Sequence, residues 1–339
     1  MNSIQNFLSL LGTIAFCGVC ITSTATAQSE ANDRRIWAEK PVLYPENPTP
    51  RERYGIWDRE VYPIGNGRIG AALHGNPVEE HIQFNEDSLW VGNEDNTGGY
   101  QPFGDIYVHF GHEDYSDYRR ELDIENAIHT VSYESGGVRY KRESFASNPA
   151  QVMVFHFSAD QAGEIAGTVR MGNEHKVPIQ VDGDTLVMRG DTSNFWWWRT
   201  ILSQPEKRLI ADREYASPEL IVLDFEARTK VLHQGGRVWN EGDTLRFEGC
   251  DSLTLLVGAD TNYLNQREKG WRGEHPHEPV LAQVEAASKQ SFDALRSAHI
   301  EDYRSLYERL EIDLGTTPGH LLDLPTRERL VAYQNAFAA

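Results

Sequence analysis

Short apolar runs separated by glycine-rich turns dominate the chain from about residue 52 to residue 260. Glu80–Phe84 alternates polar and apolar side chains, which is the pattern of a strand with one buried face. Ile69–His74 is mainly apolar and is bounded by turn residues, which predicts a buried strand. Similar runs predict further strands at Asp105–Phe110, Tyr118–Ile124, Ala127–Tyr133, Val138–Phe145, Gln151–Phe157, Thr185–Arg189, Leu220–Phe225, Thr229–His233 and Ser252–Gly258.

Turn signals separate these runs at nearly regular intervals. They include Gly136-Gly137, Asn148-Pro149, Asp182-Gly183 and Gly235-Gly236. Many short strands with frequent turns are typical of an antiparallel sandwich and not of a parallel sheet with crossover helices. No repeat of fixed period is visible, which argues against a propeller. We therefore predict a mainly β fold, with an antiparallel β-sandwich over residues 51–278.

The pattern becomes helical near residue 279. Pro279 suits the first position of a helix, and a second helical set follows the first almost directly. Thr326, after Leu324-Pro325, is a typical helix cap. The apolar positions at helical spacing are Leu281, Val284, Ala287 and Leu295, then Ile300, Tyr303, Leu306, Tyr307 and Leu310. Residues 279–339 are therefore predicted to form a short α-helical linker.

The first 27 residues have the features of a secretory signal peptide. Phe7–Ile21 is an uncharged apolar run, and Ala25-Thr26-Ala27 is a small-residue cleavage site. A membrane anchor is the alternative, but the run is short for a span. We expect cleavage after Ala27, export to the periplasm or the exterior, and no membrane span afterwards. The polar, proline-rich residues 28–50 are expected to form an extended leader.

The net charge of −19 argues against a nucleic acid or an anionic membrane surface as the partner. It is compatible with an uncharged ligand such as a glycan. Cys250 is the one cysteine of the predicted mature chain, so no intramolecular disulfide is expected. A catalytic thiol would need a basic neighbour, and none is close to Cys250 in the sequence.

Several motifs resemble, in the right order, the N-terminal domain of glycoside hydrolase family 95, the α-L-fucosidase-like enzymes. The resemblance covers roughly residues 50–330. The motifs are PIGNGRIGAALHG (63–75), EEHIQFNEDSLWVG (79–92), YQPFGDIYVHF (100–110), GVRYKRESFASNPAQVMVFHFSAD (137–160), TNY (261–263) and AHIEDYRSLYERLEIDLG (298–315).

This resemblance implies a large sandwich of the supersandwich type, a helical linker and then a catalytic α/α barrel. It implies hydrolysis of terminal α-L-fucosyl linkages with inversion, without a metal or an organic cofactor. The catalytic residues of that family lie in the barrel. We expect this chain to end where a truncated catalytic domain begins, so no catalytic residue is assigned to it.

Four residues at the end of the Glu80–Phe84 strand are substrate-proximal candidates: Asn85, Glu86, Asp87 and Trp90. If the strand continued, Glu86 and Asp87 would point to opposite faces and would make a poor acid–base pair. One hypothesis is that Asn85-Glu86-Asp87 shapes a turn through side-chain bonds to the backbone. The other is that this loop lines the sugar pocket of the barrel.

The run Phe195-Trp196-Trp197-Trp198 is the second candidate, because aromatic faces stack on sugar rings. Alternation in a strand would place Trp197 on one face and Trp196 and Trp198 on the other, so the three could not form one platform. The alternative is that these rings fill a core or the face toward the barrel.

No metal site is predicted. His275 and His277, with Glu274 or Glu278, lack the spacing of a structural zinc site, and a solvated loop is the better interpretation. His299 and Asp302 share a helix face, where packing is expected.

Taken together, the chain is predicted to be the N-terminal domain of an exported glycosidase of the α-L-fucosidase type, inactive alone. Its expected partners are a fucosylated or related glycan and an α/α barrel. Two other function classes stay open. The chain could be a non-catalytic carbohydrate-binding module, or an interaction module that presents an apolar face to a separately encoded barrel.

Overall fold

The structure is a computed structural model that describes residues 34–45, 47, 49–92, 99–194, 222–312, 315 and 317–338. Within these ranges there are sixteen strands, five α-helices and two single 3₁₀ turns. The strands are β1 (Arg35–Ala38), β2 (Tyr62–Gly65), β3 (Ile69–Leu73), β4 (Glu79–Glu86), β5 (Trp90–Val91), β6 (Gly99–Tyr100), β7 (Gly104–His109), β8 (Ser116–Asp123), β9 (Ile128–Ser135), β10 (Val138–Ser147), β11 (Val152–Ala159), β12 (Ile165–Gly172), β13 (Ile179–Asp182), β14 (Thr185–Asp191), β15 (Asp224–Glu241) and β16 (Thr244–Thr261). The helices are α1 (Pro50–Glu60), α2 (His277–Ser288), α3 (Phe292–Tyr307), α4 (Gly319–Leu322) and α5 (Thr326–Ala338).

The longest element is the hairpin of β15 and β16, whose strands have 18 residues each. One edge of β16 pairs with β15 along nearly its whole length. Its other edge pairs first with β12, up to Cys250, and then with β11, from Ser252 onward. Strands β12 and β11 therefore lie one after the other along the same edge of β16. Each of them begins one half of the sheet, so both halves are joined through this hairpin.

The hairpin has an irregularity at the boundary between those two pairings. The register shifts between Gln234 and Gly235, and Gly235 and Gly236 both have positive φ. The predicted turn at Gly235-Gly236 is therefore wrong: β15 continues through both glycines to Glu241, and the extra residue of the bulge is Asp251 on β16, opposite the junction of Gln234 and Gly235. A bulge bends and twists the strand that contains it, so the hairpin can serve two sheet halves of different direction.

The two halves face each other. One runs β16-β11-β10-β9-β8-β1 and the other β16-β12-β7-β4-β3-β2, and every pairing is antiparallel. The sheet curls so that β2 contacts β10 and β3 contacts β11. The predicted mainly β, antiparallel fold followed by helices is confirmed. It takes the form of one curled sheet whose halves enclose the core.

The side chains of β11 alternate between two apolar cores, one on each face of the strand. Met153, Phe155 and Phe157 point between the sheet halves and belong to the main apolar core. Val152 and Val154 point outward and pack with Val284, Ala287 and Leu295 of α2 and α3. Both faces of β11 are thus buried, which explains its nearly continuous apolar sequence.

The predicted leader is partly built into the sheet. Arg35–Ala38 forms β1, which pairs with β8, and the Trp37 side chain is buried. A helix that sequence reasoning did not predict, α1, follows a capping box between Thr49 and Glu52. The helix predicted from Pro279 begins two residues earlier, at His277, and that predicted from Thr326 is present as α5. No described helix has the length and apolar character needed to cross a membrane.

An ion pair lies buried between the two halves of the sheet. Arg142 Nη1 on β10 donates to Glu80 Oε2 on β4 at 2.8 Å, and both side chains are almost inaccessible. Arg142 also donates to the carbonyl oxygens of Asn76 and Pro77 and to the Tyr133 hydroxyl. Glu80 accepts the backbone N–H groups of His74 and Gly75. Because nearly every polar group has a partner, the pair also fixes the β3–β4 connection.

We expect Arg142→Met to lower the free energy of unfolding by about 3–5 kcal/mol, because Glu80 would keep a buried charge without its cation. Arg139→Met is the matched control, since Arg139 lies on the same strand with an exposed side chain. It should change stability by no more than about 0.5 kcal/mol. Urea denaturation of both variants measures the difference, and equal stabilities would show that the pair does not hold the halves together.

The bulge can be tested with Gly236→Ala. The new Cβ would lie 2.3 Å from the Glu248 carbonyl oxygen, at a φ of +58°. Gly183→Ala has a similar φ, +59°, with no atom within 4 Å of the new Cβ. Gly183→Ala should therefore cost only the left-handed backbone strain, about 1–2 kcal/mol, and Gly236→Ala distinctly more. Thermal unfolding at matched conditions compares them, and equal losses would contradict close packing at the bulge.

Candidate functional site

A pocket of about 310 Å³ opens at the end of the β3–β4 hairpin. Asn85, Glu86 and Asp87, three of the four candidates predicted at this strand end, line it. The fourth, Trp90, lies beside it with its ring edge-to-face against Tyr100, 4.8 Å between ring centroids. The other lining residues are Gly67, Arg68, Ile69, Gly70 and Tyr100.

The condition under which Glu86 and Asp87 would point to opposite faces, a strand that continues through both residues, is not met. Strand β4 extends through Asn85 and ends at Glu86, so Asp87 is no longer in strand conformation. The Asp87 backbone N–H donates to the Arg68 carbonyl oxygen at 2.9 Å, which closes the end of the hairpin. In this turn the two carboxyl groups share a hydrogen bond.

Glu86 is held in conditions that favour its protonated form. Its side chain is buried, with 3% of its surface exposed. Burial raises the pKa of Glu86 to about 8, and the hydrogen bond with Asp87 acts in the same direction. Ser88 opposes this rise, because its backbone N–H and its hydroxyl both donate to Glu86 Oε2, at 2.9 and 2.7 Å. The balance of these causes keeps Glu86 protonated near neutral pH.

Arg68 forms the opposite wall and ties the pocket to the long hairpin. Its guanidinium donates to the Ala259 carbonyl oxygen at 2.6 Å and to Gln151 Oε1 at 2.9 Å. It also lies 3.7 Å from the Asp260 carboxylate. Burial raises the pKa of Asp260 and the Arg68 charge opposes that rise. The Asn66 side chain fixes the loop, since its oxygen accepts the backbone N–H groups of Arg68 and Ile69.

Tyr100 is the open side of the pocket. Its ring is 57% exposed, and its hydroxyl donates to the Asp87 carbonyl oxygen at 3.0 Å. Sequence reasoning missed Arg68, Tyr100 and Asp260 as parts of this site. Arg68 and Tyr100 lie within the motifs quoted above, but only the pairing of distant strands reveals that they share a pocket with Glu86.

The arrangement can bind hydroxyl groups more readily than it can cleave a glycosidic bond. A glycosidase needs its two carboxyl groups about 5–5.5 Å apart for retention, or about 6.5–9.5 Å apart for inversion. A side-chain hydrogen bond with Asp87 contributes to the raised pKa of Glu86, so the two carboxyl groups are closer together than either of these separations. They remain a source of one donor and several acceptors next to an exposed aromatic ring.

The other predicted candidates lie elsewhere or outside the described residues. Trp196, Trp197 and Trp198 lie outside the described residues. His299 is buried, with Nε2 at 3.0 Å from the Asn126 carbonyl oxygen, as expected for a packing residue. Cys250 is buried, and burial raises the pKa of its thiol. Within the described ranges, no group of three or more His, Cys, Asp and Glu side chains could hold a metal ion.

The interpretation of His275 and His277 as a solvated loop is wrong for His277. Its Nδ1 lies 3.1 Å from Glu226 Oε1, and the Glu226 side chain is fully buried. Arg189 and Arg228 each donate to this carboxylate at 2.7 Å. Burial alone would raise the pKa of Glu226, but hydrogen bonds from Arg189, Arg228 and His277 outweigh it and lower that pKa. This cluster anchors the start of α2 to β14 and β15.

Replacing Glu86 tests the raised pKa of its carboxyl group. Because the folded-state pKa lies above the unfolded value of about 4.5, the folded chain binds more protons between pH 4.5 and pH 8. Stability should fall as pH rises through that window. Glu86→Gln, which copies the protonated form, should remove the fall and gain roughly 2–4 kcal/mol over the natural chain at pH 8 relative to pH 4.5.

Denaturant unfolding at several pH values measures this difference. Glu248→Gln is the control, because the hydrogen bond from Arg237 lowers the pKa of that exposed carboxyl group. It should show no gain with rising pH. Parallel pH profiles for Glu86→Gln and the natural chain would mean that Glu86 is ionised in the folded state.

Comparisons with known proteins bear on the same region. The chain matches the family model described as "Glycosyl hydrolase family 65, N-terminal domain" over residues 36–98 and 92–266. It is 27% identical to "Alpha-L-fucosidase 2" of Arabidopsis thaliana, over 76% of this chain and 35% of that protein. It is 24% identical to "Probable alpha-fucosidase A" of Aspergillus niger, over 91% of this chain and 41% of that protein.

A solved structure, "Putative kojibiose phosphorylase from human microbiome", matches 81% of this chain and 39% of its own with 11% identity and a TM-score of 0.39. The chain thus spans about two fifths or less of the length of the curated relatives, 35% and 41% for the two named. The predicted relationship to the N-terminal domains of glycoside hydrolases is confirmed, while assignment to family 95 stays a prediction. The chain belongs to the family described as glycosyl hydrolase family 65, N-terminal domain.

Proposed function

We propose that this chain is the N-terminal domain of an exported glycoside hydrolase of the α-L-fucosidase type. In this proposal the pocket at the end of β4 borders the sugar site of a catalytic α/α barrel. The domain contributes contacts to the glycan and support to the barrel. The domain does not hydrolyse a glycosidic bond by itself.

The observation that carries this proposal is the contact between Glu86 and Asp87. Two carboxyl groups joined by a side-chain hydrogen bond cannot flank a glycosidic bond, since the separations that hydrolysis needs are about 5 Å or more. The same pair is well suited to bind, because sugar hydroxyls both donate and accept hydrogen bonds. Tyr100 adds an exposed ring at the pocket edge.

The relatives support the choice of substrate class. The curated relatives matched along most of this chain are named as α-fucosidases. A terminal α-L-fucosyl linkage, hydrolysed with inversion, is therefore the proposed reaction of the complete enzyme. Export is proposed from the apolar run and small-residue cleavage site in residues 1–27.

A glycan-binding module that acts without a barrel is the second candidate. The exposed Tyr100 ring beside the hydrogen-bonding pocket favours it, because a binding module combines an aromatic face with polar groups. The two candidates differ in one respect. If the chain is a glycan-binding module, it binds a fucoside with measurable affinity by itself. If it is a supporting domain, most of the affinity for the fucoside comes from the barrel.

The purified chain should release no nitrophenol from p-nitrophenyl α-L-fucoside beyond a mock preparation. The Arabidopsis thaliana relative, assayed in the same buffer, is the positive control. Turnover by this chain that survives Glu86→Gln and Asp87→Asn would also exclude the pocket as its origin. Any turnover by the purified chain would overturn the proposal that the domain is inactive alone.

The contact role can be measured in that full-length relative. Replacing the residues that align with Asn85 and Asp87 by Ala and Asn should raise KM about three- to tenfold, the effect of one lost hydrogen bond. The melting temperature should stay constant, which separates lost contacts from lost folding. An unchanged KM in both variants would leave the pocket with a purely structural role.

A further inference from the structure

A second polar cavity lies on the outer face of β8, β9 and β10, apart from the pocket already described. It has a volume of about 230 Å³. Helices α2 and α3 cover the same face over β10, β11, β15 and β16, and Arg296 of α3 forms one wall. We call this cavity the sheet groove. Its lining residues are Arg119, Glu121, Asp123, Ile128, Thr130, Ser132, Lys141, Glu143 and Arg296.

The strand registers arrange the floor of the sheet groove in rows. Arg119 on β8, Ser132 on β9 and Lys141 on β10 are direct neighbours, which makes a row of cation, hydroxyl and cation. The next row is Glu121, Thr130 and Glu143, which is acid, hydroxyl and acid. Neighbouring strands lie about 4.8 Å apart, so each row of three side chains spans about 9–10 Å, wide enough to have groups on both sides of a sugar ring.

Ion pairs hold the charged side chains in place. Arg119 Nη2 lies 2.8 Å from Glu121 and its guanidinium stacks on the Trp37 ring at 4.0 Å. Glu143 is bound from two sides, by Lys141 Nζ at 3.0 Å and by Arg296 Nε at 3.2 Å. These contacts fix the positions of charged side chains that line the cavity, and hydrogen bonds to charged groups are stronger than those between neutral groups.

The formal charges of the sheet groove cancel. Three cations, Arg119, Lys141 and Arg296, are matched by three carboxylates, those of Glu121, Asp123 and Glu143. A net charge of zero gives neither a metal cation nor a phosphate group an electrostatic advantage. The groove instead presents alternating donors and acceptors, with Ile128 as a buried apolar patch at one end.

From this geometry we propose that the sheet groove binds one ring of a neutral saccharide. Sugar hydroxyls need donors and acceptors side by side, and hydrogen bonds to charged groups are the stronger kind. The volume lies just below that of sites for drug-sized ligands, which suits a single ring. The carboxylates of Glu121 and Glu143 are both paired with cations. The groove therefore acts as a binding site without cleavage.

The test titrates the whole chain with L-fucose, D-galactose, D-glucose and N-acetyl-D-glucosamine, followed by isothermal calorimetry and by saturation-transfer NMR. Thr130→Val removes the central hydroxyl but keeps the branched shape, and should weaken binding of at least one sugar about three- to tenfold. Ser132→Ala should act likewise. Thr168→Val, on β12 outside the groove, is the matched control and should leave affinity unchanged.

Several results would overturn the inference. The first is that none of the four sugars binds. The second is that Thr130→Val and Ser132→Ala leave the affinity unchanged. The third is that equimolar sodium phosphate or calcium chloride displaces the sugar. Weakening by Asp87→Asn alone would assign the sugar to the pocket and not to the sheet groove. Conversely, binding that persists in Asp87→Asn and is lost in Thr130→Val supports the groove even if the pocket proposal fails.

Discussion

The bend in the β15–β16 hairpin is the constraint on which the rest of the fold depends. One edge of β16 carries β12 and then β11, so the two halves of the sheet meet along a single strand. The bulge at Asp251, opposite Gln234 and Gly235 of β15, lets that strand serve both directions. Once the halves face each other, their inner apolar side chains form one core, and Arg142 and Glu80 connect them across it.

The residues of the pocket are held in place by hydrogen bonds to the same hairpin. Arg68 donates to the Ala259 carbonyl oxygen near the end of β16, and its guanidinium lies 3.7 Å from the Asp260 carboxylate. Ser88, which holds the Glu86 carboxyl group, is within hydrogen-bond contact of Thr261, the last residue of β16. A site on rigid elements with supporting hydrogen bonds is suited to orient a ligand. This fits a domain that contributes contacts to a glycan while another domain performs the chemistry.

Much of the strand pattern could be predicted, because alternation of apolar residues reports directly which face is buried. β4, β9, β10 and β11 lie where Glu80–Phe84, Ala127–Tyr133, Val138–Phe145 and Gln151–Phe157 were predicted, with ends that differ by a few residues. Glycine pairs were less informative. Gly136-Gly137 is a hairpin turn, whereas Gly235-Gly236 lies inside β15 next to a bulge of β16, and only the strand that follows distinguishes the two. The capping box of Thr49 and Glu52 is a sequence signal from which the start of α1 can be predicted.

The chemistry of the site was less accessible to sequence reasoning. Local alternation placed Glu86 and Asp87 on opposite faces, but the strand ends between them, and the ending is set by the hydrogen bond from Asp87 to Arg68. Asp260 approaches from a strand more than 170 positions away in the chain. The sheet groove depends likewise on the register of three strands. Contacts of this kind follow from tertiary pairing, which local patterns do not encode.

The central claim is that Glu86 stays protonated near neutral pH in contact with Asp87, so that the pocket binds and does not cleave. The most direct test is a titration of the Glu86 side-chain carboxyl carbon by ¹³C NMR, from pH 4 to pH 9. The account predicts a chemical-shift midpoint near pH 8, the value that burial imposes on the pKa of Glu86. A midpoint near 4.5, the ordinary value, would show an ionised Glu86 and contradict the account.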